Sequence, residues 1–180
     1  MTKFDKIDSE VNILLLKPNE EHTYKLNKSQ DWLTDLLHEL NEKVSERTSE
    51  QYLADSELDL DIRLKRVHHQ PFGNVLICTG NLHASFFTEC VRTLKEMKDE
   101  VNVDFKACFI PNHFAEDEEY EDLDETFVDN DIHEVHFSEK NIADLKEMVH
   151  ELINLNINQY PVLDEDAPIE TMQSPTDIKQ

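Results

Sequence analysis

Leu58, Leu60, Ile62 and Leu64 alternate strictly with Asp59, Asp61, Arg63 and Lys65, the period of two that marks a half-buried strand. Pro71, Phe72, Gly73 and Asn74 then supply a turn, and residues 75–88 read as the second arm of a hairpin. Gly80 falls inside that arm, where a bulge or a close backbone approach is expected. Val101, Val103, Phe105, Ala107 and Phe109 alternate with Asn102, Asp104, Lys106 and Cys108, which predicts a further strand over 97–109, ended by Pro111. Three consecutive strands with short links predict an antiparallel meander.

The flanks follow other periods. The apolar run 11–16, closed by Lys17 and Pro18, predicts a strand. Ser29 is placed to cap a helix with Asp31 near its positive end, and Trp32, Leu33, Leu36, Leu37, Leu40 and Val44 follow at spacings of three and four. The polar stretch 45–56 predicts the end of that helix and a loop. Ile132, Val135 and Phe137 predict a short edge strand. Ser138 or Asn141 is the expected cap of a second helix with the stripe Ile142, Leu145, Met148, Val149, Leu152 and Ile153, and Pro161 ends regular structure. The fold class is therefore α+β, an antiparallel β-meander sheet packed with two amphipathic helices. Residues 1–161 form the expected single domain, and residues 162–180 a disordered acidic tail.

Charge changes the picture most. The chain carries 40 Asp and Glu against 17 Lys and Arg, a formal net charge of −23. Such a surface repels phosphate backbones over a Debye length of about 8 Å at physiological salt. Broad nucleic-acid binding is excluded, and basic proteins become the natural partners of the acidic surface. Eight acids fill the ten positions 116–125, which predicts a mobile acidic loop at 115–126. Glu118, Glu119, Tyr120, Glu121 and Asp122 are its candidate contacts to a basic partner. Three cysteines without CxxC spacing, Cys78, Cys90 and Cys108, together with a first stretch lacking an apolar signal core, point to the cytoplasm. No run approaches 18 apolar residues, so no membrane partner is expected.

No catalytic motif is present, and two glycines cannot build a phosphate loop. The chain is read as a non-enzyme with no cofactor. His133 and His136 lie three apart on a predicted strand, so their rings point to opposite faces and read as exposed histidines rather than metal ligands. The acidic loop lacks the oxygen spacing and glycine of a calcium loop. The four arginines are more informative. Arg63, Lys65 and Arg66 form one basic stretch, and Arg92 and Lys95 follow at the next turn; these five are the candidate RNA or partner contacts. Arginine suits bidentate phosphate contact, and cross-strand ion pairs with Asp59, Asp61 and Glu89 are the structural alternative.

Gly80, the turn Cys90-Val91-Arg92-Thr93-Leu94, the pair Asp144-Leu145 and the segment Leu155-Asn156-Ile157-Asn158-Gln159-Tyr160-Pro161 stand in an order that resembles the YceD family. The resemblance spans residues 11–161, and its motif residues are Gly80, Cys90, Arg92, Leu94, Asp144 and Leu145. It implies a factor supporting accumulation of large-subunit ribosomal RNA, with a ribosomal protein, a ribosome precursor or the RNA as partner. An acidic nucleic-acid mimic that occupies a basic protein is the alternative drawn from charge. Thr93 stands where the family turn has its second cysteine, and Val162-Leu163-Asp164-Glu165-Asp166 replaces a cysteine-rich end. Four-ligand zinc binding through those positions is therefore not expected.

Overall fold

The computed structural model describes residues 2–4, 6–115 and 134–163. In chain order the elements are β1 (Thr2–Phe4), β2 (Glu10–Asn12), a 3-10 turn (Ile13–Leu15), β3 (Glu21–Leu26), α1 (Asp31–Leu40) and α2 (Ser49–Asp55). They continue with β4 (Glu57–His69), β5 (Gly73–Glu89), β6 (Glu96–Pro111), a 3-10 turn (Asn112–Phe114), β7 (Glu134–Ser138), β8 (Ile142–Asp144) and α3 (Leu145–Asn156).

Six strands pair in the order β1-β3-β4-β5-β6-β7, and β2 with β8 makes a separate antiparallel pair. Pairing from β3 to β6 is antiparallel throughout, while β1 and β7 add parallel edges. The α+β class and the meander read from the alternation are present, and β3 makes the meander four strands long. Leu58, Leu60, Ile62 and Leu64 point inward with Leu76, Cys78 and Leu82, against Leu33, Leu36 and Leu37 of α1 and Met148, Val149 and Ile153 of α3. Each such leucine or isoleucine removed from water stabilises the fold by about 1.5–3 kcal/mol. Phe72, Val75, Cys108 and Ile110 form a smaller cluster. Cys108 and Ile110 alternate with core residues Ala107 and Phe109, so this cluster sits on the opposite face of the sheet.

Several local expectations are corrected. Residues 11–16 are only briefly a strand: β2 stops at Asn12, whose side chain accepts from the Leu14 N–H and opens a 3-10 turn. The long strand of that region is β3 instead. Its buried His22 and Thr23 mask the apolar alternation. The N-cap of helix α1 is Gln30, whose side chain makes no capping bond to the helix, and Ser29 lies in the preceding turn, its N–H donating to Asn27 Oδ1 at 2.9 Å. The helix ends at Leu40, so Val44 lies beyond it, buried with Tyr52 and Phe87.

The stretch 45–56 contains a third helix, α2, closed by a capping box between Thr48 and Gln51. Lys28 Nζ donates to the carbonyls of Leu53, Ala54 and Ser56 at its other end. Neither Ser138 nor Asn141 caps α3. Asp144 does, its Oδ1 accepting from the Glu147 N–H at 3.0 Å. Ile142 therefore belongs to β8 and pairs with Asn12. His136 is buried, 5.3 Å from the Phe109 ring and within 3.2 Å of Glu134, where the spacing had predicted an exposed histidine. Ile132, His133 and the acidic-loop contacts Glu118, Glu119, Tyr120, Glu121 and Asp122 lie outside the described residues, as does the tail from residue 164 onward.

Candidate functional site

Strand alternation leaves the face of the sheet opposite α1 and α3 polar at its centre. Cross-strand register sets two rows there. Thr23, Arg63, Thr79 and Lys106 stand side by side in one, and Lys25, Asp61, Asn81 and Asp104 in the next. Neighbouring strands lie about 4.8 Å apart, so Arg63 and Lys106 are separated by about 10 Å, and the rows by about 7 Å along the strands. These residues line an open groove of about 500 Å³. Its floor is backbone at Ile62, Gly80 and Phe105. Gly80 is required there: a Cβ would lie 2.0 Å from the Asp61 carbonyl oxygen, the close approach expected of this glycine.

The groove is charged in an ordered way. Lys25 Nζ lies 3.5 Å from Asp61. Asn81 Nδ2 donates to Asp104 Oδ1 at 2.9 Å and to Asn102 Oδ1 at 3.2 Å. Arg63 and Lys65 are exposed, and among the described residues no carboxylate lies within ion-pairing distance of either. Asp61, one of the carboxylates considered for cross-strand pairing with an arginine, pairs with Lys25 instead. Thr23 is 9% exposed, and its hydroxyl oxygen is buried with no hydrogen-bond partner among the described residues. An unpaired buried hydroxyl costs about 1–3 kcal/mol.

The remaining basic candidates separate from this groove. Arg66 is half-buried and structural: its guanidinium donates to the carbonyls of Leu14 at 3.0 Å and Leu16 at 3.1 Å and to Asn74 Oδ1 at 3.1 Å. Arg92 and Lys95 sit in the β5–β6 turn, about 30 Å of strand from Arg63. Lys25 and Lys106, which the one-dimensional charge pattern did not single out, join Arg63 only because register aligns β3, β4, β5 and β6.

The β5–β6 turn has its own construction. The Cys90 N–H donates to the Lys95 carbonyl at 2.9 Å, and the Leu94 N–H to the Cys90 carbonyl at 2.8 Å. Leu94 sits at φ 57°, a left-handed conformation that side chains resist. The chain after α3 returns to this turn, where the Val91 N–H donates to the Pro161 carbonyl at 3.0 Å. Cys90 is buried, and a hydrogen bond from the Thr93 side chain, helped by the backbone N–H groups of Leu163, Thr93 and Arg92, lowers its thiol pKa against the effect of burial. The family-motif residues Cys90, Arg92 and Leu94 thus meet the Pro161 segment, while Gly80 floors the groove and Asp144 and Leu145 start α3. Thr93 uses its hydroxyl on the Cys90 sulfur where a zinc centre needs a second thiolate, so these residues do not fit such a centre. Among the described residues no three His, Cys, Asp or Glu side chains converge on one point.

The fold and site define an α+β protein with α1 and α3 on one face of a six-stranded sheet and a polar groove on the other. The chain belongs to the YceD family, described as large ribosomal RNA subunit accumulation protein YceD, which matches residues 78–179, more than half of its length. The match begins within β5 and runs past α3, so it holds the turn at Cys90 and the start of α3 but not β3 or β4. That membership ties the chain to ribosome biogenesis. Comparison with curated proteins and with solved structures finds no match. Among the described residues no helix is long and apolar enough to cross a membrane.

Proposed function

We propose that this protein acts in the cytoplasm as a non-catalytic factor that supports accumulation of large-subunit ribosomal RNA by binding a ribosomal protein, a precursor particle or the RNA. The family match over residues 78–179 carries this reading. An open polar sheet face supports a binding role, since it offers contact area without enclosing a reaction centre. The three cysteines are buried and none forms a disulfide, which fits a reducing compartment. Removing the gene is expected to lower the ratio of large-subunit to small-subunit ribosomal RNA, measured on total RNA. An unchanged ratio, including under growth stress, overturns the proposal.

The formal charge of −23 favours a second reading, an acidic mimic of nucleic acid that occupies a basic protein. Affinity capture separates the two. Ribosomal proteins or precursor RNA on the purified chain support the first, and one stoichiometric basic partner with no ribosomal component supports the second.

A further inference from the structure

We propose that the groove on the open sheet face holds single-stranded RNA, its phosphodiester backbone along Arg63 and Lys106 and its base edges over Asp61, Asn81 and Asp104. This deepens the ribosome-biogenesis reading above and rests on it for the identity of the nucleic acid as RNA.

Three observations carry the inference. The first is the sorting of charge. Within the groove three cations, Lys25, Arg63 and Lys106, stand against two carboxylates, Asp61 and Asp104, on a molecule whose net charge is −23. A phosphate chain is tolerated on such a molecule only where cations locally outnumber carboxylates. The second is the separation of donors from acceptors. Arg63 and Lys106 offer donors to phosphate oxygens, while Asp61 and Asp104, about 7 Å away along the strands, offer acceptors. Carboxylates accept from the exocyclic amino groups of bases and from ribose 2′-hydroxyls. A basic peptide would meet the acidic row well but would place its own charge against Arg63 and Lys65, which no carboxylate among the described residues neutralises.

The third observation is Thr23. Its buried hydroxyl lines the groove with no partner among the described residues, and a ligand hydroxyl or phosphate oxygen would supply one. Single strands fit and duplexes do not. A single strand exposes its base edges, whereas a duplex pairs them away and brings a second phosphate backbone against acidic surface.

The test measures fluorescence anisotropy of a short, labelled, mixed-sequence single-stranded RNA on the full chain at several salt concentrations. Arg63→Gln with Lys106→Gln is expected to weaken binding about 10-fold or more and to flatten the logarithmic salt slope by about 1.4, roughly 0.7 per lost phosphate contact. Lys43→Gln with Lys146→Gln, an equal charge change away from the groove, is expected to leave both unchanged. Thr23→Val, which removes the hydroxyl at constant shape, is expected to weaken binding while Tm stays level or rises.

No RNA binding by the unmodified chain overturns the inference, as does equal weakening by both double variants. Displacement of RNA from the groove by a basic ribosomal peptide that binds more tightly there also overturns it. The same Arg63→Gln, Lys106→Gln chain placed in cells distinguishes the two levels. Loss of large-subunit RNA on gene removal, restored fully by this variant, retains the family reading and rejects the groove. No loss on gene removal rejects the family reading itself.

Discussion

At Gly80 there is no room for a side chain, because the Asp61 carbonyl oxygen would lie 2.0 Å from the added Cβ. The obstruction is backbone of a central strand, which cannot rotate aside as a side-chain tip can. Gly80→Ala is expected to destabilise the protein by about 3 kcal/mol, read as a lower urea midpoint with an unchanged slope. The cysteines give a second prediction at this scale. Burial raises the Cys108 thiol from its ordinary 9.0 to about 12, and raises Cys78 in the same direction, with a further push from Cys108. Between those limits the unfolded chain releases protons that the folded chain keeps, so their stabilising contribution is complete below about pH 9 and declines as pH rises. Cys90 acts in the opposite sense. Its lowered pKa favours the folded state above pH 9, and that contribution is lost as pH falls through the lowered value. With two groups against one, stability measured by urea denaturation is expected to fall from pH 9 to alkaline values. The decline should be shallower in Cys78→Ala with Cys108→Ala, from a lower starting stability.

The elements differ in how openly the chain announced them. Strands β4 and β6 alternate so regularly that their existence and inward faces were legible, and the turn between β5 and β6 was placed at Cys90 to Leu94. Helix α2 was not, because its sequence buries only Tyr52 and presents no apolar stripe. The signal that was there is the spacing of Thr48 and Gln51, a capping box. What holds α2 in place is tertiary: Lys28 at its end, and Tyr52 with Glu96 and Arg47 at its side. Strand β8 was read as the first turn of a helix, since Ile142 fits the stripe of α3. Its pairing with Glu10–Asn12 joins residues far apart in the chain, and local periodicity carries no trace of that contact. Arg66 belongs to the same lesson. It sat in a basic stretch, yet its donors fix the 3-10 turn against β4. Arg66→Lys, which loses the fork that serves Asn74 from Nε while Nη1 serves Leu14 and Leu16, is expected to lower stability by about 1–2 kcal/mol in urea denaturation.

Across the whole molecule the two faces of the sheet have opposite tasks. One is covered by α1 and α3 and supplies the core, while the other keeps charged rows exposed at its centre. The formal charge of −23 acts on both as a background field. Duplex DNA is expected to give no shifted band with this protein in a native gel at physiological salt, since even at the groove its second phosphate backbone would lie against carboxylates. A complex with duplex that survives rising salt would contradict this electrostatic picture.

By itself the sequence determined the α+β class, the meander, the acidic background and the resemblance carried by Gly80, Cys90 and Asp144, because periodicity, composition and short motifs are properties of neighbouring residues. Only the tertiary structure decided that Lys25 and Lys106 stand with Arg63, that Arg66 leaves the basic group, and that Cys90 meets Leu163. Those groupings follow from strand register and from chain segments returning across the fold. Register is fixed by which apolar faces can share one core, a condition met by all the strands together and by no single stretch of the chain.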